Sequence, residues 1–157
     1  MLILNPKRSE TVVTAVSLML IMLFVYAAAT KLMDMRTFIY QIKLSPLIPD
    51  GFHVFVAYLM PVAEIVTGVL LCFKYTRRIA LYASYFLMLM FTFYLYFLLK
   101  YSTFIPCSCG GILGKMSWET HIIFNLLVSF MAGFACYLEE KKVMPDRQNI
   151  QLKRVIQ

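Results

Sequence analysis

Charge is what this sequence has least of. Only 15% of its 157 residues are Asp, Glu, Lys or Arg, where soluble domains carry about 25%. Hydrophobic residues make up 61%, and the mean hydropathy is +0.75. That scarcity of charge excludes an ordinary soluble domain. Also missing is any basic stripe with interleaved aromatics, so the net charge of +7 points to the positive-inside rule and anionic headgroups and not to nucleic acid. No internal repeat or low-complexity tract divides the chain. Cysteine is sparse, at four residues, and two of those fall inside long apolar runs.

What is present is four such runs, each near the roughly 20 residues that a crossing requires. They are Thr11–Ala29, Val54–Phe73, Ile79–Leu99 and His121–Leu138. The first is longer than the 7–15-residue core of a signal peptide, so a retained span is expected. In lipid the backbone must satisfy its own hydrogen bonds, which makes all four helices. The expected fold is all-α, a bundle of four antiparallel transmembrane helices over residues 1–140, with a polar cytoplasmic tail at 141–157.

Between the first two runs, Met35, Phe38, Ile39 and Ile42 recur at helical spacing with Arg36, Gln41 and Lys43 between them. A short interfacial helix is expected there. The segment "SPLIPDG" ends it, since two prolines and a glycine cannot continue a helix.

Lys and Arg set the orientation. With both termini inside, the inner side holds Lys7, Arg8, Lys74, Arg77, Arg78, Lys141, Lys142, Arg147, Lys153 and Arg154. The outer side holds Lys31, Arg36, Lys43, Lys100 and Lys115. The excess predicts N-in and C-in. In a bacterial inner membrane, the connection between the third and fourth spans then faces the oxidising periplasm.

That connection carries "PCSCGG", residues 106–111. A Cys-x-Cys disulfide closes a small ring, whose strain suits an exchanging bond better than a staple. A structural disulfide gains mostly by closing a long loop, and this loop is minimal. Gly110 and Gly111 give the backbone freedom for a second sulfur to approach. A redox dithiol is the favoured reading of Cys107 and Cys109. Metal ligation lacks a fourth ligand beyond His121, and inert loop thiols are the third option. Cys72 and Cys136 lie a hydrocarbon thickness away, roughly 30 Å, and are expected to be small buried apolar residues.

Downstream, His121, Asn125, Ser129 and Gly133 recur every four residues. Such a stripe packs against neighbouring helices. Its functional alternative has His121 lowering a thiol pKa or bonding a quinone carbonyl. Trp118 is either an interface anchor or, with Asn125, a contact for a bound cofactor. Glu64 stands mid-span in the second run, between Pro61 and Gly68. A carboxyl at that depth is a functional candidate by default, and burial favours its protonated form. It could relay a proton or bond across to the stripe of the fourth span; the plain alternative is a neutral carboxyl that holds helices together. Lys31, at the outer end of the first span, either reaches down towards Glu64 or, as is expected, snorkels outward.

Three stretches, "YAAATKLMDMRTFIYQI", "MPVAEIVTGVLL" and "PCSCGGILGKMSWETHIIFN", resemble the DoxX-like superfamily and, within it, the MauE branch of methylamine-utilisation proteins. The last stretch is the most specific, because MauE-like proteins carry a Cys-x-Cys-x-Gly segment before their final helix; Cys107, Cys109 and Gly111 match it. The residue before that glycine is often aromatic in the family and is Gly110 here. The resemblance implies a four-helix inner-membrane protein engaged in periplasmic redox work.

Three functions follow as expectations. The first is thiol–disulfide exchange between Cys107–Cys109 and a periplasmic thioredoxin-like partner, with a membrane quinone as the one cofactor considered and Glu64 and His121 assisting. Two-pair relays use a second outward cysteine pair, and this chain has none, so a quinone or a partner must complete the relay. The second is a non-catalytic anchor or assembly subunit of a larger membrane complex, docked through the aromatic third span. The third, a small transporter built on Glu64, lacks a polar pathway.

Overall fold

The computed structural model describes residues 6–101 and 117–156, with side chains described as far as Lys141 except those of Pro6 and Trp118. Five helices occur in the order α1 (Pro6–Met33), α2 (Met35–Lys43), α3 (His53–Cys72), α4 (Arg77–Tyr101) and α5 (Trp118–Ile156). No strand occurs among the described residues. Four of the helices are long and apolar enough to cross a membrane, over Lys7–Met33, His53–Cys72, Arg77–Tyr101 and Glu119–Lys141. The protein is therefore a multi-pass membrane protein of the expected all-α class. The helices outrun the apolar runs because polar residues just outside the hydrocarbon continue the same turns; α5 passes Leu138 and runs on to Ile156.

The four spans form a ring in chain order. α1 packs against α3 and α5, and α4 packs against the same two. The core joins Val13, Val16, Leu20 and Phe24 of α1, Leu71 of α3, Leu81 and Met88 of α4, and Val128, Ala132 and Ala135 of α5. Outward faces carry Val62, Ile65 and Val69 of α3 and Phe86, Met90, Phe93 and Phe97 of α4. These are the side chains a bilayer solvates.

Each connection has a local cause. Asp34 alone separates α1 from α2, and its Oδ1 accepts from the Thr37 N–H at 3.2 Å, capping α2. α2 turns Phe38 and Ile42 onto Ala57, Val56 and Met60 of α3, so its apolar stripe is covered by protein. Gly51, at φ 93°, takes the left-handed turn that leads into α3 and that a side chain would oppose. Between α3 and α4 the Thr76 hydroxyl donates to the Leu70 carbonyl at 2.7 Å, satisfying one of the free acceptors at the end of α3. Ser117 opens α5, accepting from the Thr120 N–H at 3.3 Å.

One end of the bundle is pinned by ion pairs. The Arg77 guanidinium meets Glu139 of α5 at 3.1 Å and donates to Thr14 Oγ1 of α1 at 3.5 Å. Arg78 meets Glu140 at 2.9 Å, and Lys74 approaches Glu10 at 4.0 Å. The basic segments that favoured a common side in the sequence thus gather at a common end.

Candidate functional site

Register from this pinned end locates the interior of the bundle. Fourteen residues lead from Thr14 to Ala28, from Arg77 to Phe91 and from Glu139 back to Asn125, about 21 Å along each helix. On α3, Gly68 lies against Phe24, its Cα facing the Phe24 Cβ closely enough that an added methyl would sit at 3.9 Å. One turn further on both antiparallel helices, Ala28 comes level with Glu64. A single layer therefore contains Ala28, Glu64, Phe91 and Asn125, one from each spanning helix.

Lys31 enters this layer from above. Its Nζ donates to Glu64 Oε1 at 2.6 Å and to the Ala27 carbonyl at 3.3 Å. The ammonium also lies 5.6 Å from the Phe91 ring centroid and 6.0 Å from that of Phe38, within cation–π range. Glu64 is fully buried and Lys31 nearly so. Two sequence expectations are corrected here. Lys31 does not snorkel outward, because helical side chains lean toward the N-terminus, and for a residue near the end of α1 that direction is inward. Glu64 does not bond across to α5, because α3 and α5 are diagonal in the ring and α1 is the neighbour.

The pair is incompletely satisfied. Glu64 Oε2 is buried with no hydrogen-bond partner. Pro61, one turn earlier and also buried, has no N–H, so the Ala57 carbonyl lacks its usual helical donor.

The stripe on α5 is inward, as its spacing indicated. His121, Asn125 and Ser129 are buried, and a Cβ on Gly133 would come within 3.2 Å of the Tyr85 ring. Buried hydroxyls in the bundle return to their own helices: Ser17 to Val13, Thr67 to Ala63, Ser84 to Ala80, Thr92 to Met88 and Ser129 to Asn125, at 2.7 to 2.8 Å. The structure brings Glu64 and Asn125 to one layer and His121 one turn nearer the α4–α5 connection. The Trp118 side chain, Cys107 and Cys109 lie outside the described residues. Cys136 is buried as expected, but Cys72 is exposed. It follows Leu71, the last residue of the inward stripe of α3, by about 100° of rotation and so faces out.

Sequence reasoning weighed Lys31 as a partner of Glu64 but favoured the outward course, and it missed the Arg77–Glu139 node. The signal for the inward course was a lysine two residues inside the C-terminal end of a span, where helix geometry aims the chain into the bilayer. Arg77 and Glu139 read only as topology charges.

The model of the family described as methylamine utilisation protein MauE matches residues 9–138. The chain belongs to the MauE family. The match runs from the first turn of α1 to Leu138 and so includes Lys31, Glu64, Cys107, Cys109, His121 and Asn125. No curated protein and no solved structure matches the chain.

Proposed function

We propose that this MauE-family protein is a membrane thiol–disulfide exchange protein working through Cys107 and Cys109. The observation that carries the reading is the Cys-Ser-Cys-Gly-Gly segment in the connection between α4 and α5. That connection joins the ends of these helices remote from Arg77–Glu139, while Cys72 and Cys136 belong to the pinned end. The basic-rich pinned end faces the cytoplasm by the positive-inside rule, and the cysteine pair faces the periplasm of a bacterial inner membrane.

The exchange is balanced as two successive displacements. One thiolate of the chain attacks a sulfur of a disulfide in a thioredoxin-like partner, forming a mixed disulfide and expelling the partner's other sulfur as a thiolate. The second cysteine attacks the mixed disulfide, leaving Cys107–Cys109 oxidised and the partner as a dithiol; the same steps run in reverse when the partner is reduced. Two electrons and two protons change hands, and a membrane quinone/quinol couple supplies or removes them. In this reading His121, buried one turn from the start of α5, assists a thiolate of the pair, and Trp118 and Asn125 are candidate contacts of the quinone.

Mass-tagged maleimide labelling in intact cells, with and without reductant, tests this. Cys107 and Cys109 are expected to shift between blocked and reactive forms as partner or quinone supply changes. A pair that stays in one state under every condition leaves the anchoring role in its place.

A further inference from the structure

We propose that Glu64 Oε2 and the remaining N–H of Lys31 bind the hydroxyl of a lipid-soluble hydroquinone, its ring set among Phe38 and Phe91. The placement goes beyond the thiol exchange; it rests on that reading only for the choice of a redox-active ring.

A lysine ammonium has three N–H donors, and two are used, on Glu64 Oε1 and the Ala27 carbonyl. Glu64 Oε2 is buried without a donor. The hydroxyls of Thr67, Thr92 and Ser129, the nearest in chain position, are committed to their own helices. The pair thus offers a buried acceptor without a donor and an ammonium N–H used by neither Glu64 Oε1 nor the Ala27 carbonyl. A buried polar group left in this way costs free energy that a ligand recovers.

One group satisfies the set: a hydroxyl, which donates to Oε2 and accepts from the ammonium. Its carrier must dissolve in hydrocarbon, because the layer lies within the four spans. The two phenyl rings near the ammonium come from different elements, Phe38 from α2 and Phe91 from α4, and suit a flat ring better than an acyl chain. A quinone carbonyl only accepts and would leave Oε2 bare, so the reduced form is preferred.

The test uses the full-length protein in nanodiscs, titrated with decylubiquinol and with decylubiquinone. The wild type is expected to bind the quinol saturably and about tenfold or more tightly than the quinone, the scale of a hydrogen bond to a charged acceptor. In Glu64→Gln the bare acceptor becomes an amide donor, and the preference is expected to vanish or reverse. Absence of saturable binding, or an unchanged preference in Glu64→Gln, overturns the proposal. Photolabelling of the wild type with an azidoquinone decides the matter if that variant does not fold. Label near Phe38 and Phe91, displaced by quinol, supports the site; label elsewhere, or none, overturns it. Cycling cysteines without quinol binding sink this site alone, whereas quinol binding with static cysteines sinks only the exchange.

Discussion

Lys31 and Glu64 are thirty-three positions apart and meet at 2.6 Å inside the bundle. The lysine reaches its partner by folding back one helical turn, its ammonium also donating to the Ala27 carbonyl at 3.3 Å. Charge pairs in such surroundings recover their desolvation only through good geometry, and this one links α1 to α3 at the layer where the bundle is most polar.

Removing one member is therefore expected to be far worse than removing both. Lys31→Met leaves an uncompensated buried carboxyl and is expected to cost about 3–5 kcal/mol. The double variant Lys31→Met/Glu64→Leu is expected to recover most of that loss. Reversible unfolding in mixed micelles measures both; a double variant as unstable as the single one contradicts the pairing.

The two ion pairs at the pinned end should differ in weight. Arg77–Glu139 is nearly buried and also touches Thr14, whereas Arg78 and Glu140 are 35% and 37% exposed. Arg78→Ala is expected to cost about 0–1 kcal/mol, and Arg77→Ala about 3 kcal/mol or more. Equal losses in the same unfolding assay would contradict the packing described for α1, α4 and α5.

The helix glycines rank as well. A methyl at Gly68 meets Phe24 at an ordinary van der Waals distance of 3.9 Å, while at Gly133 it meets the Tyr85 ring at 3.2 Å. Gly68→Ala is expected to stabilise by up to about 1 kcal/mol through helix propensity. Gly133→Ala should forfeit part or all of that gain, because the ring must move by a few tenths of an ångström. Thermal melts of the two variants read the order, and a more stable Gly133→Ala contradicts it.

Much of this architecture was legible in the sequence, and the reasons are physical. Four apolar runs in a charge-poor chain admit only helices, and the positions of Met35, Phe38, Ile39 and Ile42 marked α2. Glu64 announced itself by its depth. Lys31 was weighed as its partner but expected to point outward, because its direction depends on the tilt of helical side chains, which a hydropathy pattern does not express. Cys72 was misplaced for a related reason: its type suggested burial, but its angle around α3, one step past Leu71, decided otherwise. The layer shared by Ala28, Glu64, Phe91 and Asn125 needed the register between helices, which is fixed by the Arg77 node and the Phe24–Gly68 contact.

Acidification should loosen α2 first. The Thr37 side-chain and backbone hydrogen bonds hold the Asp34 carboxyl below its ordinary pKa. A depressed folded-state pKa contributes stability that is present above the ordinary value, about 3.9, and is lost as pH falls through the folded value. Hydrogen exchange at the Thr37 amide is expected to accelerate, relative to its intrinsic rate, as pH drops below that range. Asp34→Asn should keep the cap and remove the dependence. Protection that does not change between pH 6 and pH 3 contradicts the assignment.

Thiol exchange at Cys107 and Cys109 is tested most directly by trapping its covalent intermediate. In Cys107→Ser and Cys109→Ser, expressed separately, the remaining thiol can form a mixed disulfide but nothing in the pair can resolve it. Cells quenched in acid and run without reductant are expected to show, for at least one variant, a reductant-sensitive adduct joining the 18.2 kDa chain to an extracytoplasmic protein. If neither variant yields an adduct while both are present in the membrane, Cys107 and Cys109 do not exchange with a partner.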